Sequence, residues 1–142
     1  MNTVLAVIVA GVFTLLAGWH FFMALYPSRG ASGAVPTSNG EPLFVPSTRA
    51  TLAVGVVLLL FAVLVAATAG MLALGVPDVV LRWLSYALAL GLLARAVGEF
   101  KYVGFFKRVR GSRFATLDTL VYSPLCLVLA ASVALVALQH GT

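Results

Sequence analysis

The stretch ATLAVGVVLLLFAVLVAATAGMLAL, residues 50–74, contains no charged side chain. A helix needs roughly 20 apolar residues to cross about 30 Å of hydrocarbon, so this run is long enough to span a membrane. Backbone groups must satisfy their own hydrogen bonds in lipid, and the strict alternation of barrel strands is absent from the run. The stretch therefore predicts a transmembrane α-helix.

Three further apolar runs have a similar length, and together the four cover about residues 3–26, 50–74, 79–103 and 119–139. In the 142-residue chain 62% of residues are hydrophobic and only 9% are charged, which leaves too few polar groups to coat a water-soluble globule. The first run lacks the basic start of a secretory signal and exceeds its usual apolar length, so it is predicted to be a retained helix. The expected fold is all-α: one integral membrane domain, residues 1–142, with four transmembrane helices in a bundle.

Basic residues predict the orientation of this bundle. The connections after the first and third runs carry seven of them, whereas the opposite face has only Arg82. The seven are Arg29, Arg49, Lys101, Lys107, Arg108, Arg110 and Arg113. Because basic flanks are retained in the cytoplasm, both termini are expected on the outer side of the cell inner membrane.

The net charge of +5 is concentrated in the connection of about residues 104–118, where basic and aromatic residues interleave. In a membrane protein this pattern indicates contact with anionic lipid headgroups rather than with nucleic acid. The connection of residues 27–47 differs, because it has four prolines, three glycines and no helical period. Structureless connections of this length are commonly lids, binding loops or disordered links, and the sequence leaves a lid and a mobile loop open.

The third run ends in charges. No proline interrupts residues 78–123, and Asp78 is a plausible N-cap, so we expect the helix to continue through Arg95 and Glu99. One face of that helix would carry small and polar residues, namely Gly91, Arg95, Gly98, Glu99 and Tyr102. Small residues allow close helix approach, and ionisable ones should face protein rather than lipid. The stripe is predicted to face the bundle interior.

Polar residues of the other helices are expected at the same cytoplasmic end. His20 precedes the first connection, and Asp118 and Tyr122 open the fourth helix. The ligand-binding candidates are therefore His20, Arg95, Glu99, Tyr102, Asp118 and Tyr122. An intramembrane arginine needs a partner, and either Glu99 or Asp118 could supply it.

Simpler roles remain open for the same residues. Arg95 and Glu99 could form a structural ion pair, Asp118 could cap the fourth helix, and the tyrosines could belong to the interfacial aromatic belt. Pro124 predicts either a second helix start at Ser123 or a kink. Cys126 is the only cysteine, and no Glu-x-x-His motif occurs, so neither a cofactor nor a metal ion is expected.

The stretch RAVGEFKYVGFFKRVRGSRFATLDTLVYSPLC, residues 95–126, resembles the signature half of the bacterial membrane family catalogued as domain of unknown function 3995. The resemblance extends to His20, to Pro36 and Pro46, and to the four-helix layout. The first helix departs from the family pattern of a histidine followed by an aromatic residue, a tryptophan and paired glycines, since it reads WHFFMALYPSRG over residues 19–30. The resemblance implies a fold and carries no established activity.

Three functions are compatible with these observations, and no complete catalytic motif assigns a catalytic residue. The first is a small membrane enzyme or binding protein with a pocket for an amphipathic or anionic lipid-like molecule. The second is a small transporter or channel subunit in which Glu99 or Asp118 exchanges protons. The third is a structural partner of a larger membrane complex or a homo-oligomer. The sequence favours the first, with membrane lipids as the expected partners.

Overall fold

A computed structural model of the chain describes residues 2–27 and 33–140. The helices are α1 (Asn2–Leu25), α2 (Thr48–Thr68), α3 (Asp78–Val97), α4 (Arg113–Leu117) and α5 (Ser123–Gln139), with a π-helical segment, Asp118–Tyr122, between α4 and α5. Two short strands, β1 (Thr37–Ser38) and β2 (Glu41–Pro42), pair in antiparallel fashion within the first connection.

Four helical stretches are long and apolar enough to cross a membrane: Thr3–Leu25, Thr48–Thr68, Asp78–Val97 and Arg113–Gln139. The last comprises α4, the π-helical segment and α5. The prediction of an all-helical fold with four candidate membrane spans is thereby confirmed.

The four long helices share one apolar core. α1 packs mainly along α2, and α3 packs mainly along α5. Phe13 of α1 is fully buried and meets the ring of Phe61 edge to face, with 5.7 Å between centroids. Many large apolar side chains point outward instead, including Leu15 at 77% exposure and Trp83 at 64%. An apolar exterior of this kind matches a lipid environment rather than water.

At the end of the bundle where α2 ends and α3 begins, two polar contacts fasten the helices. The buried hydroxyls of Thr68 and Ser85 lie 2.8 Å apart. Beyond them, His140 Nε2 lies 3.4 Å from the Asp78 carboxylate. Asp78 is the first residue of α3 but makes no capping bond with its side chain, so its predicted N-cap role is wrong, and Pro77 holds that position.

Two helices end earlier than predicted, and glycine is the reason in both. α2 begins after Ser47, whose hydroxyl accepts a bond from the Ala50 N–H, and it ends at Thr68 because Gly70 adopts a φ of +76°. α3 ends at Val97, six residues short of the predicted 103, because Gly98 has a φ of +83°. This left-handed backbone is open to glycine at little steric cost and stops a helix.

Residues 98–104 form a tight loop, called here the glycine loop. Its two end glycines touch so closely that a Cβ on Gly98 would lie 1.9 Å from the Val103 carbonyl oxygen, and a Cβ on Gly104 would lie 2.3 Å from the Val97 oxygen. The predicted stripe through residues 91–102 is therefore wrong, because its second half is not helical. Gly91 is also exposed and faces away from the bundle interior.

The fourth span begins before the predicted residue 119. Ser112 caps it by accepting a 3.0 Å bond from the Ala115 N–H, so Asp118 is not the cap. Six residues later the chain widens, and the Ser123 N–H bonds to the Asp118 carbonyl in the i to i+5 pattern. Pro124 lacks an N–H and cannot continue the α pattern at that turn. The proline is thus accommodated by a π-helical segment within a continuous helical stretch.

Candidate functional site

The carboxylate of Asp118 organises a buried cluster, called here the Asp118 centre. Its Oδ1 accepts bonds from Arg95 Nη2 at 2.9 Å and from the Ser123 hydroxyl at 3.3 Å. Its Oδ2 accepts from Lys107 Nζ at 3.1 Å and from the Gly104 N–H at 2.7 Å. Asp118 is fully buried. Four donors on one carboxylate offset much of the cost of removing its charge from water.

Lys107 is the second buried charge of this centre, with 0% of its side chain exposed. Its ammonium group has three protons and three acceptors: the Gly104 carbonyl at 2.9 Å, Asp118 Oδ2, and the Thr119 hydroxyl in a short contact. The sequence placed Lys107 among the residues of the connection that contact lipid headgroups. That expectation is wrong for Lys107, because every donor of its ammonium group is used inside the protein.

Arg95 pairs with Asp118, which settles the partner that the sequence left open. Its side chain is 35% exposed, and the buried Nη1 has no hydrogen-bond partner in the described part of the chain. Glu99, the alternative partner, is exposed and belongs to the glycine loop. There Glu99 Oε1 accepts bonds from the N–H groups of residues 101, 102 and 103. Glu99 thus closes the glycine loop and does not bind Arg95.

The two tyrosine candidates have different positions. Tyr122, in the π-helical segment, packs its ring on Phe114 and donates a 2.9 Å bond to the Gly33 carbonyl of the first connection. This bond ties the first connection to the fourth span. Tyr102 is half-buried in the glycine loop, and the Lys101 ammonium lies 5.1 Å from its ring centroid.

The described part of the first connection, residues 33–47, folds back on itself. Its two strands are joined at residues 39 and 40, both with positive φ, and the Leu43 N–H bonds to the Pro36 carbonyl at 3.0 Å. Between this hairpin and the ends of α1 and α2 lies a cavity of about 420 Å³, called here the His20 cavity. Its lining residues are His20, Met23, Pro27, Ala34, Val35, Pro42, Phe44, Val45, Pro46, Ala50, Thr51 and Val54.

His20 is the one ionisable side chain among the described residues that line the cavity. Its Nδ1 lies 2.7 Å from the carbonyl oxygen of Leu16, one turn earlier in α1. None of the other five candidates lines this cavity. The structure therefore divides the predicted cluster: Arg95 and Asp118 join in the buried centre, Tyr122 links it to the hairpin, Glu99 and Tyr102 lie in the glycine loop, and His20 lines the cavity.

Sequence reasoning missed four groups that complete the Asp118 centre: the Lys107 ammonium, the Gly104 amide, and the hydroxyls of Thr119 and Ser123. One signal was available for Lys107, since FFK is the only place in the basic connection where two aromatic residues directly precede a cation. The Gly104 amide could not be foreseen, because its position depends on the close contact with Gly98. No group of three or more His, Cys, Asp or Glu side chains within the described ranges is placed to hold a metal ion.

The chain matches the family model of the proteins of unknown function termed DUF3995 over residues 13–133. No curated protein matches it, and no solved structure matches it. The matched residues include His20, both strands of the hairpin, the glycine loop and the whole Asp118 centre. Since the match covers most of the chain, this protein belongs to the DUF3995 family.

Proposed function

We propose that this protein is a small multi-pass protein of the bacterial inner membrane that binds an amphipathic, lipid-like molecule in the His20 cavity. The observation that carries the proposal is the cavity itself. Its volume falls within the range of about 300–1,000 Å³ usual for ligand sites, and its walls are almost entirely apolar with one imidazole among them. Such a lining suits a hydrocarbon chain with one polar group at a fixed place.

The place of the cavity in the bundle supports a ligand that arrives from the bilayer. The cavity lies where α1 and α2 meet the first connection, and Val54, on its α2 side, is 45% exposed on the apolar exterior. A lipid tail could thus pass between bilayer and cavity without crossing a charged surface. The hairpin that covers the cavity is held through the bond from Tyr122 to Gly33.

The other candidate functions gain less from the geometry. A proton-exchanging carboxylate needs access to water, but Asp118 is fully buried with four donors around it, and Glu99 is engaged by three backbone amides. The Asp118 centre instead suits a structural role, because it joins α3, the glycine loop and the fourth span. Assembly into a homo-oligomer or a larger complex is compatible with the binding role.

The binding proposal is tested with Ala50→Trp, which places an indole in the cavity. The matched control is Ala53→Trp, since Ala53 is exposed on α2 and does not line the cavity. Delipidated protein would be incubated with a bacterial membrane lipid extract, repurified, and examined by mass spectrometry for retained molecules and by thermal unfolding. At a ligand concentration of 100 times Kd, occupancy stabilises the fold by about 2.7 kcal/mol.

We expect the parent and Ala53→Trp to retain a lipid-like molecule and to unfold at higher temperature with extract. Ala50→Trp should fold, retain none in the cavity and lose the temperature shift. Equal retention by all three proteins, or retention by none, would refute binding in the His20 cavity.

We further propose that both termini face the outer side of the inner membrane. Arg49 and the basic residues of 101–113 lie at the end of the bundle that carries the hairpin, because Tyr122 and Gly33 are in contact there; Arg29 lies outside the described residues. In a Cys126→Ser background, an impermeant thiol reagent should label Asn2→Cys in intact cells and leave Arg110→Cys unlabelled until the cells are opened. The reverse pattern would overturn this orientation.

A further inference from the structure

The imidazole of His20 is the one ionisable group among the described residues that line the His20 cavity. No Lys, Arg, Asp or Glu side chain is among the described residues that line it. Lys107 and Arg95 are committed to Asp118. The exposed Arg49 precedes the lining residue Ala50 but does not itself line the cavity. A phosphate or carboxylate headgroup within the cavity would therefore have no cationic partner among the described residues that line it, which disfavours an anion there.

The hydrogen bond of His20 to its own helix fixes what the imidazole can do in the cavity. A carbonyl oxygen can only accept, so the nitrogen that lies 2.7 Å from the Leu16 oxygen must carry a proton. In the neutral ring, the remaining nitrogen, Nε2, is then an acceptor. Nε2 has no protein partner among the described residues and is not sealed inside the protein. The described lining of the cavity thus offers the Nε2 acceptor and no side-chain cation.

Thr51, the second polar side chain among the described lining residues, also offers the cavity no donor. Thr51 Oγ1 donates its proton to the Ser47 carbonyl at 3.0 Å, so the hydroxyl offers the cavity only acceptor capacity. A ligand group that complements the described lining donates a hydrogen bond and needs no charge. Among membrane lipids, the simplest group with both properties is a free hydroxyl.

We propose that the ligand of the His20 cavity is a neutral lipid with a free hydroxyl, which donates a hydrogen bond to His20 Nε2 while its hydrocarbon chain lies against the apolar walls. This inference rests on the proposed function, because it names the class of lipid that the same cavity takes. It predicts discrimination in favour of long-chain alcohols over fatty acids and over ethers that lack the hydroxyl proton.

The test compares three probes with the same chain: hexadecan-1-ol, its methyl ether and hexadecanoate. The protein would be incubated with the three probes at equal concentrations at pH 8 and analysed by native mass spectrometry. A neutral hydrogen bond contributes about 0.5–1.5 kcal/mol, so the parent should hold the alcohol over the ether by roughly 2- to 12-fold. Hexadecanoate should be held least.

Two histidine variants test whether the imidazole of His20 causes the preference for the alcohol over the ether. His20→Phe keeps an aromatic ring of similar size and should bind alcohol and ether equally. His140→Phe is the matched control, because His140 lies beside Asp78 and does not line the cavity. It should retain the preference of the parent.

The outcomes distinguish the two proposals. If no probe binds and Ala50→Trp changes nothing, the proposed binding function fails. If the probes bind and Ala50→Trp blocks them, but the parent shows no preference for the alcohol or His20→Phe retains it, the binding function stands and the hydroxyl inference is wrong. Tighter binding of hexadecanoate than of the alcohol would also overturn the hydroxyl inference.

Discussion

The Asp118 centre and the His20 cavity lie toward the same end of the bundle and contrast in how fully their polar groups are used. In the centre, both oxygens of Asp118 and all three protons of Lys107 have partners. In the cavity, one nitrogen of His20 is engaged and the other has no partner among the residues that the structure describes. A polar cluster that satisfies itself stabilises the fold, whereas a single unused acceptor among apolar walls leaves a role for a ligand.

The sharpest way to break this contrast is to remove the carboxylate of the centre. Asp118→Leu would leave Lys107 buried and unpaired, and losing one member of a buried ion pair typically costs about 3–5 kcal/mol. We expect little folded protein, measured by unfolding in mild detergent with increasing denaturant. Asp118→Leu with Lys107→Met should recover part of that stability, because both fully buried charges are then removed. An Asp118→Leu variant as stable as the parent would contradict the structural role.

The glycine loop supplies the Gly104 amide to this centre, and its geometry predicts the next largest effect. Gly104→Ala would force a Cβ to within 2.3 Å of the Val97 oxygen at a φ of +89°. We expect a loss of at least about 2 kcal/mol in the free energy of unfolding, from overpacking and backbone strain together.

The matched control for this substitution is Gly91→Ala in α3, where a Cβ meets nothing within 4 Å. Because alanine favours a helix over glycine by about 0.5–1 kcal/mol, Gly91→Ala should be neutral or stabilising. A lower free energy of unfolding for Gly104→Ala together with an unchanged or higher one for Gly91→Ala would support the glycine loop as described. Equal losses in the two variants would contradict it.

The cavity side of the contrast depends on the close approach of α1 and α2 beside it. A Cβ at Gly55 would lie 2.5–3.0 Å from three atoms of the Phe21 ring, next in sequence to His20. Gly55→Ala should push the two helices apart and cost about 1–3 kcal/mol. Thermal unfolding measures the loss, and retention of the lipid-like molecule should fall with it. Unchanged stability would show that Phe21 moves aside freely.

The bond from Tyr122 to Gly33 connects the two regions, and its removal should have a small effect on stability. Tyr122→Phe keeps the ring on Phe114 and loses one hydrogen bond, at a cost of about 0.5–1.5 kcal/mol. Because this bond holds the hairpin over the cavity, we expect faster release of a bound lipid, measured by exchange against a deuterated probe. Release at the parental rate would show that the hairpin is held by other contacts.

The smallest effect is expected at Cys126, which is half-buried and forms no disulfide. Cys126→Ala removes only a small thiol, so it should change the free energy of unfolding by about 1 kcal/mol or less and leave lipid retention intact. Loss of retention with folding preserved would assign Cys126 a role that neither region explains.

Hydropathy alone was enough to predict the four candidate spans, because few other structures use a predominantly apolar run that is long enough to cross a bilayer. It also located Arg95 and Asp118 correctly at one end of the bundle. The residue at which α3 ends could not be predicted from the sequence. Gly98 is in close contact with Gly104, and no local sequence pattern indicates that contact. The continuation through Glu99 was wrong for this reason.

The burial of Lys107 was missed for a related reason. A cation in a run of cations is normally solvated or at a headgroup, and only the fold shows that this one lies beneath the glycine loop. His20 was identified from its place near the end of the first span. Its separation from Asp118 and the cavity around it depend on the hairpin of residues 33–47, whose shape proline and glycine content alone does not determine.

The π-helical segment Asp118–Tyr122 determines which side chains of the fourth span share a face before and after it. Each residue of an α-helix advances the chain by about 100° around the axis, and a π-type turn amounts to one residue more than the α pattern holds. Removing one residue here would rotate everything before the segment by about that angle relative to α5. The Asp118 carboxylate would then face lipid while Val133 and Val136 still faced the core. Insertions and deletions should therefore be tolerated in the exposed stretch around residue 111 and excluded between residues 118 and 123.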